Sequence, residues 1–141
     1  MGKINLGRVI LGGIVAGIII DIWEGVMRGV LLQEQAAKVM AALGRTNVVS
    51  TKQLIALNIY GLVIGILAIW VYAAIRPRFG AGPKTALLAG LAVWALVFAL
   101  GAMPPVFMHL VPVNLALMAS CAEAVMMLIA GVAGAALYKE A

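Results

Sequence analysis

The sequence predicts an all-α fold: a membrane-embedded antiparallel four-helix bundle with a short amphipathic surface helix after its first span. Three observations predict it. The 141 residues are 65% hydrophobic and only 11% charged, more apolar surface than a soluble domain of this length could hide in its interior. Four apolar stretches, approximately 6–30, 53–75, 85–103 and 113–138, each come near or above the ~20 residues an α-helix needs to cross the hydrocarbon core. Turn and breaker residues separate them, so 1–141 reads as a single transmembrane domain.

The first stretch starts behind Lys3 and Arg8 and superficially resembles a signal peptide. No small-x-small cleavage site follows, and the apolar run continues through Asp21 to Val30, so it reads as a retained first span. Beyond it, Leu32, Ala36, Val39, Met40 and Leu43 recur at helical spacing among Gln33, Glu34, Gln35 and Lys38, with Gly44 as a stop. That pattern predicts the surface helix. Arg76-Pro77-Arg78-Phe79-Gly80-Ala81-Gly82-Pro83-Lys84 marks the second connection, and Pro104-Pro105 through Pro112 the third.

Charge sets orientation. With the N-terminus inside, Lys3, Arg8, Arg76, Arg78, Lys84 and Lys139 are cytoplasmic, against Arg28, Lys38, Arg45 and Lys52 outside. Three of the six inner charges lie in the very short 76–84 loop, where the positive-inside rule is strongest. Both termini are therefore expected in the cytoplasm, with Trp70, Tyr72 and Tyr138 in an inner aromatic belt. The net charge of +5 is scattered or placed at helix ends, without a basic stripe and interleaved aromatics, which argues against a nucleic-acid partner. A single Cys121 excludes an internal disulfide.

Each span carries small or polar residues at spacings of three and four. They are Gly13, Gly17, Asp21, Glu24 and Arg28 in the first, and Asn58, Gly61, Gly65, Ala68 and Tyr72 in the second. The third has Ala86, Gly90, Val93, Val97 and Gly101, and the fourth Ala116, Ser120, Glu123, Met127, Gly131 and Gly134. Lipid supplies no hydrophobic force between helices, so small residues that let backbones approach predict the packing seams. GxxxG occurs at 13–17, 25–29 and 61–65.

Three of the five acidic residues, Asp21, Glu24 and Glu123, fall within these spans. A carboxylate in hydrocarbon is costly unless neutral, paired or facing water, so each is a candidate site residue. At 1.5 Å per residue, Glu24 and Asp21 lie ~6 and ~10 Å along the helix from Arg28, Glu123 ~15 Å from Val113, and Asn58 ~9 Å from Lys52. His109 and Asn114 flank the third connection, and Ser120 and Cys121 lie just before Glu123. Almost all polar side chains thus fall in one half of the bundle, which predicts an outward-facing acidic pocket over an apolar floor. The expected ligand set is Asp21, Glu24, Asn58, His109, Asn114, Ser120 and Glu123.

Plainer readings compete. Glu24 can pair with Arg28 four residues on, Asp21 can bond a neighbour, and Glu123 can hydrogen-bond helices together. His109 with Met103, Met108, Met118 and Cys121 offers donors for Cu(I), but HxxxH, CxxC and ExxH spacings are missing, so no metal or cofactor is assigned. The run 76–84 suits lipid head groups or simply a tight turn. No nucleophile triad, phosphate loop or dinucleotide fingerprint is present.

The run from Trp70 to Ala86, around Arg76-Pro77-Arg78-Phe79-Gly80, resembles a signature of small uncharacterised bacterial four-helix integral membrane proteins. The resemblance extends over the whole length, including an acidic residue late in the first helix and one in the fourth. It implies the same fold and a bacterial inner-membrane location, and no activity. Small multidrug transporters are shorter, with their key Glu earlier in the first helix. The glutathione-transferase-like membrane family has a Glu-Arg…Asn motif in its second helix that is missing here. The leading expectation is a non-enzymatic, homo-oligomeric membrane protein whose acidic pocket binds a cation, proton or small ligand. The alternatives are an accessory subunit of a larger membrane complex, and a membrane enzyme on lipid or quinone with Glu123 as acid/base. Membrane lipids are expected partners in every case.

Overall fold

The computed structural model describes residues 3–45 and 49–140. It comprises α1 (Leu6–Leu31), α2 (Gln33–Ala42), α3 (Thr51–Phe79), α4 (Pro83–Phe107) and α5 (Val113–Ala136), with no strand among the described residues. The four long helices have mean hydropathies of 2.0 to 2.4, and the chain is a multi-pass membrane protein by their length and composition.

Local chemistry explains the boundaries. Asn5 caps α1 by accepting from the Arg8 amide. A capping box starts α3, where the Ser50 hydroxyl accepts from the Gln53 amide and the Gln53 side chain accepts from the Ser50 amide at 2.8 Å. The helix α3 runs past the expected end at residue 75. Pro77 lies only one turn from the terminus, so it forfeits one backbone bond rather than breaking a span. Gly80, at φ 85°, supplies the left-handed stop. Pro83 occupies the first turn of α4, where its missing N–H costs nothing. The amphipathic α2 ends as expected at Gly44, φ 67°.

Two spans depart from α geometry. Met27–Leu31 of α1 and Ala95–Ala99 of α4 are π turns, closed by bonds from the Leu32 amide to the Met27 carbonyl and from the Leu100 amide to the Ala95 carbonyl. Beyond the second, Leu100–Ala102 form a turn before α4 resumes at Met103–Phe107. Pro104 and Pro105 cannot donate back to that turn's carbonyls.

The helices alternate direction. α1 and α4 occupy opposite corners, each packed on α3 and α5, while α3 and α5 also touch across the diagonal. The start of α1 and the end of α5 lie at one end, where the Asn5 amide donates to the Tyr138 hydroxyl at 3.3 Å; we name this the terminal end and the opposite one the distal end. The predicted seams meet in the terminal half. A Cβ on Gly65 would strike the backbone of Gly13 and Gly17, and one on Gly12 the Gly134 carbonyl. Gly90 lies against the Met127 carbonyl and Gly131 against that of Ala86. Ile20, Ile69, Met126 and Met127 fill the centre and are fully buried.

The tyrosines correct one expectation. Tyr72 and Tyr138 do not stand in an aromatic belt but are buried, with rings edge to face at 5.8 Å. The Tyr72 hydroxyl accepts from the Gly82 amide, and the Arg76 guanidinium lies over the Tyr138 ring and 3.4 Å from Glu140. Buried Thr85 donates to the Gly80 carbonyl at 2.7 Å. Trp70 remains exposed. Aromatic hydroxyls that find backbone partners can be buried cheaply, and here they seal the terminal end.

Candidate functional site

Toward the distal end the seams part. Gly61, Gly65, Ala68 and Tyr72 of α3 are buried, but every residue from Thr51 to Tyr60 is exposed. On α4, Ala86, Gly90 and Val93 are buried, while Val97 is half-buried and Gly101 exposed. The space released is a cleft of about 460 Å³, within the usual range for small-molecule sites. Most of its wall is apolar, including Met27, Leu32, Phe98 and Leu115; Glu24, Arg28, Tyr60 and Glu123 are the polar side chains.

Several elements aim those groups. Glu123 projects from α5 one turn before Met127, whose complete burial closes the floor. Trp94 donates its indole N–H to the Ser120 carbonyl at 2.8 Å, tying α4 to α5 just below the π turn and one turn from Glu123. Both π turns contribute lining residues: Met27 and Arg28 from one, Val97 and Phe98 from the other. π turns recur at functional sites because the wider turn displaces side chains from the α register. The Arg28 guanidinium donates to the Glu24 carboxylate at 2.8 Å. Glu24 and Arg28 share the cleft wall with Glu123, yet among the described residues Glu123 has no ion-pair partner within 4.0 Å. Trp23, beside Glu24, has its Nε1–H buried without an acceptor, an arrangement that costs about 1–3 kcal/mol.

The residues expected to form one pocket divide among several places. Glu24 and Glu123 line the cleft together. Ser120 is buried in the α5 wall and meets Trp94 through its carbonyl. Asp21 does not line the cleft; its carboxylate lies over Gly61 in the α1–α3 seam, where only hydrogen leaves room for it. Asn58 is exposed and donates to the Leu54 carbonyl of its own helix at 2.8 Å. Asn114 is exposed near the start of α5. His109 lines a separate groove with Lys38. No group of three or more His, Cys, Asp or Glu is placed to hold a metal among the described residues.

Arg28 and Tyr60 also line the cleft, and neither is among the residues expected from the sequence. Arg28 was visible as a partner for Glu24, whereas Tyr60, two residues after Asn58 and so on another face of α3, carries no signal in the sequence. No family model, curated protein or solved structure matches the chain.

Proposed function

We propose that this chain is a non-enzymatic membrane protein whose distal cleft binds a small, mainly apolar molecule bearing one cationic or hydrogen-bond-donating group. The supporting observation is the convergence of Glu123 with the Glu24–Arg28 pair on one apolar cleft between two π turns. Arg28 occupies Glu24 and leaves Glu123 to receive the ligand's polar group, by a charge-assisted bond if ionised or as donor and acceptor if neutral. The apolar walls hold the ligand's body, and access is from the distal face. The charge bias of the loops favours cytoplasmic termini and an outward cleft, and the resemblance around Arg76–Gly80 favours a bacterial inner membrane. Native mass spectrometry of the protein gently released from its own membranes tests this reading. A reproducible added mass, lost on Glu123→Gln with the fold intact, supports it. An empty wild-type cleft overturns it.

A second reading has its own observation. Residues 51–60 of α3 are exposed on all faces, and Gly25 and Gly29 have no neighbour within 4 Å of an added Cβ. Close helix approach at such small residues would let another copy or a different membrane subunit complete the bundle. The same spectrum separates these outcomes, a homo-oligomer from a complex with an unrelated chain.

A further inference from the structure

A second concavity, which shares only Val111 with the Glu123 cleft, lies at the distal end between α2 and the α4–α5 connection. It measures about 380 Å³, and its wall includes Lys38, Val39, Ala42, Val106, His109 and Leu110. Its only side chains with an ionisable group are Lys38 and His109, both basic; Glu34, the only acid of α2, does not line it. Phe107, Met108 and Val113, at or next to the ends of two spans, are exposed alongside. The groove therefore pairs basic donors with an apolar rim at head-group depth.

His109 is also in an unusual backbone state. Its φ of 56° makes it the one non-glycine residue with positive φ among the described residues. The Leu110 amide bonds to the Pro105 carbonyl and the His109 amide to that of Val106, which places His109 at the left-handed position of a Schellman closure. Glycine is favoured there, and the chain uses it in the matching closure of α2. There Gly44 has φ 67°, with bonds from Gly44 to Ala41 and from Arg45 to Met40. A histidine held where glycine would be easier directs attention to what its imidazole does.

We propose that this groove binds the phosphodiester of an anionic glycerophospholipid in the distal leaflet. The Lys38 ammonium and the His109 imidazole hold the phosphate oxygens, and the acyl chains run down past Phe107, Met108 and Val113. Charge complementarity selects an anionic head group, and the apolar rim selects a lipid over free phosphate. The site requires nothing of Glu123.

The test uses the full-length protein in detergent, titrated with phosphatidylglycerol or phosphatidylcholine and read by native mass spectrometry. One phosphatidylglycerol should remain bound where phosphatidylcholine dissociates. His109→Gly should raise the apparent Tm by a few degrees, through relief at φ 56°, yet weaken that lipid about tenfold. Lys38→Gln should weaken it comparably, and Glu123→Gln should leave it unchanged. Retention of phosphatidylglycerol by both groove variants, its loss only on Arg78→Gln at the terminal end, or its displacement by millimolar inorganic phosphate would each overturn the proposal.

Discussion

The terminal and distal halves are built from the same four helices, yet one is sealed and the other open. In the terminal half, glycines meet backbone: Gly13 and Gly17 against Gly65, Gly12 against Gly134, and Gly90 against Met127. In the distal half the glycines that continue the pattern, Gly25 and Gly29, meet nothing. The first turns of α3 stand free there, and π turns widen α1 and α4. A glycine motif therefore becomes a seam only where the opposite helix presents a complementary small surface. Where the complement is missing the helices separate, and the gap can hold a carboxylate such as Glu123.

The comparison can be broken most severely at Gly65. A Leu there must displace the backbone of Gly13 and Gly17, with an expected loss of about 3 kcal/mol, read as a large fall in apparent Tm in detergent. Gly25→Leu, the same change on the open side, should leave Tm nearly unchanged. Equal losses at the two sites would refute the division into sealed and open halves.

Next in size is Trp94→Phe. It removes the bond to the Ser120 carbonyl, should cost about 1 kcal/mol, and should weaken ligand retention by loosening the cleft wall near Glu123. Tyr72→Phe should cost about 1 kcal/mol by removing the acceptor for the Gly82 amide, but leave ligand retention untouched. Hydrogen exchange at Gly82 would localise the effect. The smallest stability change is expected for Glu123→Gln, which keeps the shape of the side chain. Its effect should fall on the bound mass, and a large fall in Tm without loss of ligand would instead mark Glu123 as a helix–helix strut.

The sequence made the spans legible because a bilayer demands ~20 consecutive apolar residues, a requirement each helix meets by itself. It made the seams legible because small residues at three- and four-residue spacing share a helix face. Those faces are buried from Gly61 to Tyr72 and from Ala86 to Val93. The same spacing continues to Asn58 and Gly101, which are exposed, so periodicity identified the face and not how far it stays closed. Glu24 and Glu123 were legible by their rarity in hydrocarbon. Asp21 was equally visible but lies against Gly61 outside the cleft, since it shares a face with Glu24 at a level where the α1–α3 seam is still closed around buried Gly61.

The amino-acid sequence by itself determined the four spans, the amphipathic α2, the acids within the spans and the faces on which helices can meet. Each of these follows from the chemistry of short segments and the helical repeat. Tertiary structure alone decided that Glu24, Arg28 and Glu123 share a cleft while His109 and Lys38 line another groove, and that Tyr72 and Tyr138 close the terminal end. These outcomes depend on where π turns shift the register and where opposing surfaces cease to fit. Both are properties of several helices packed together, carried by no single segment.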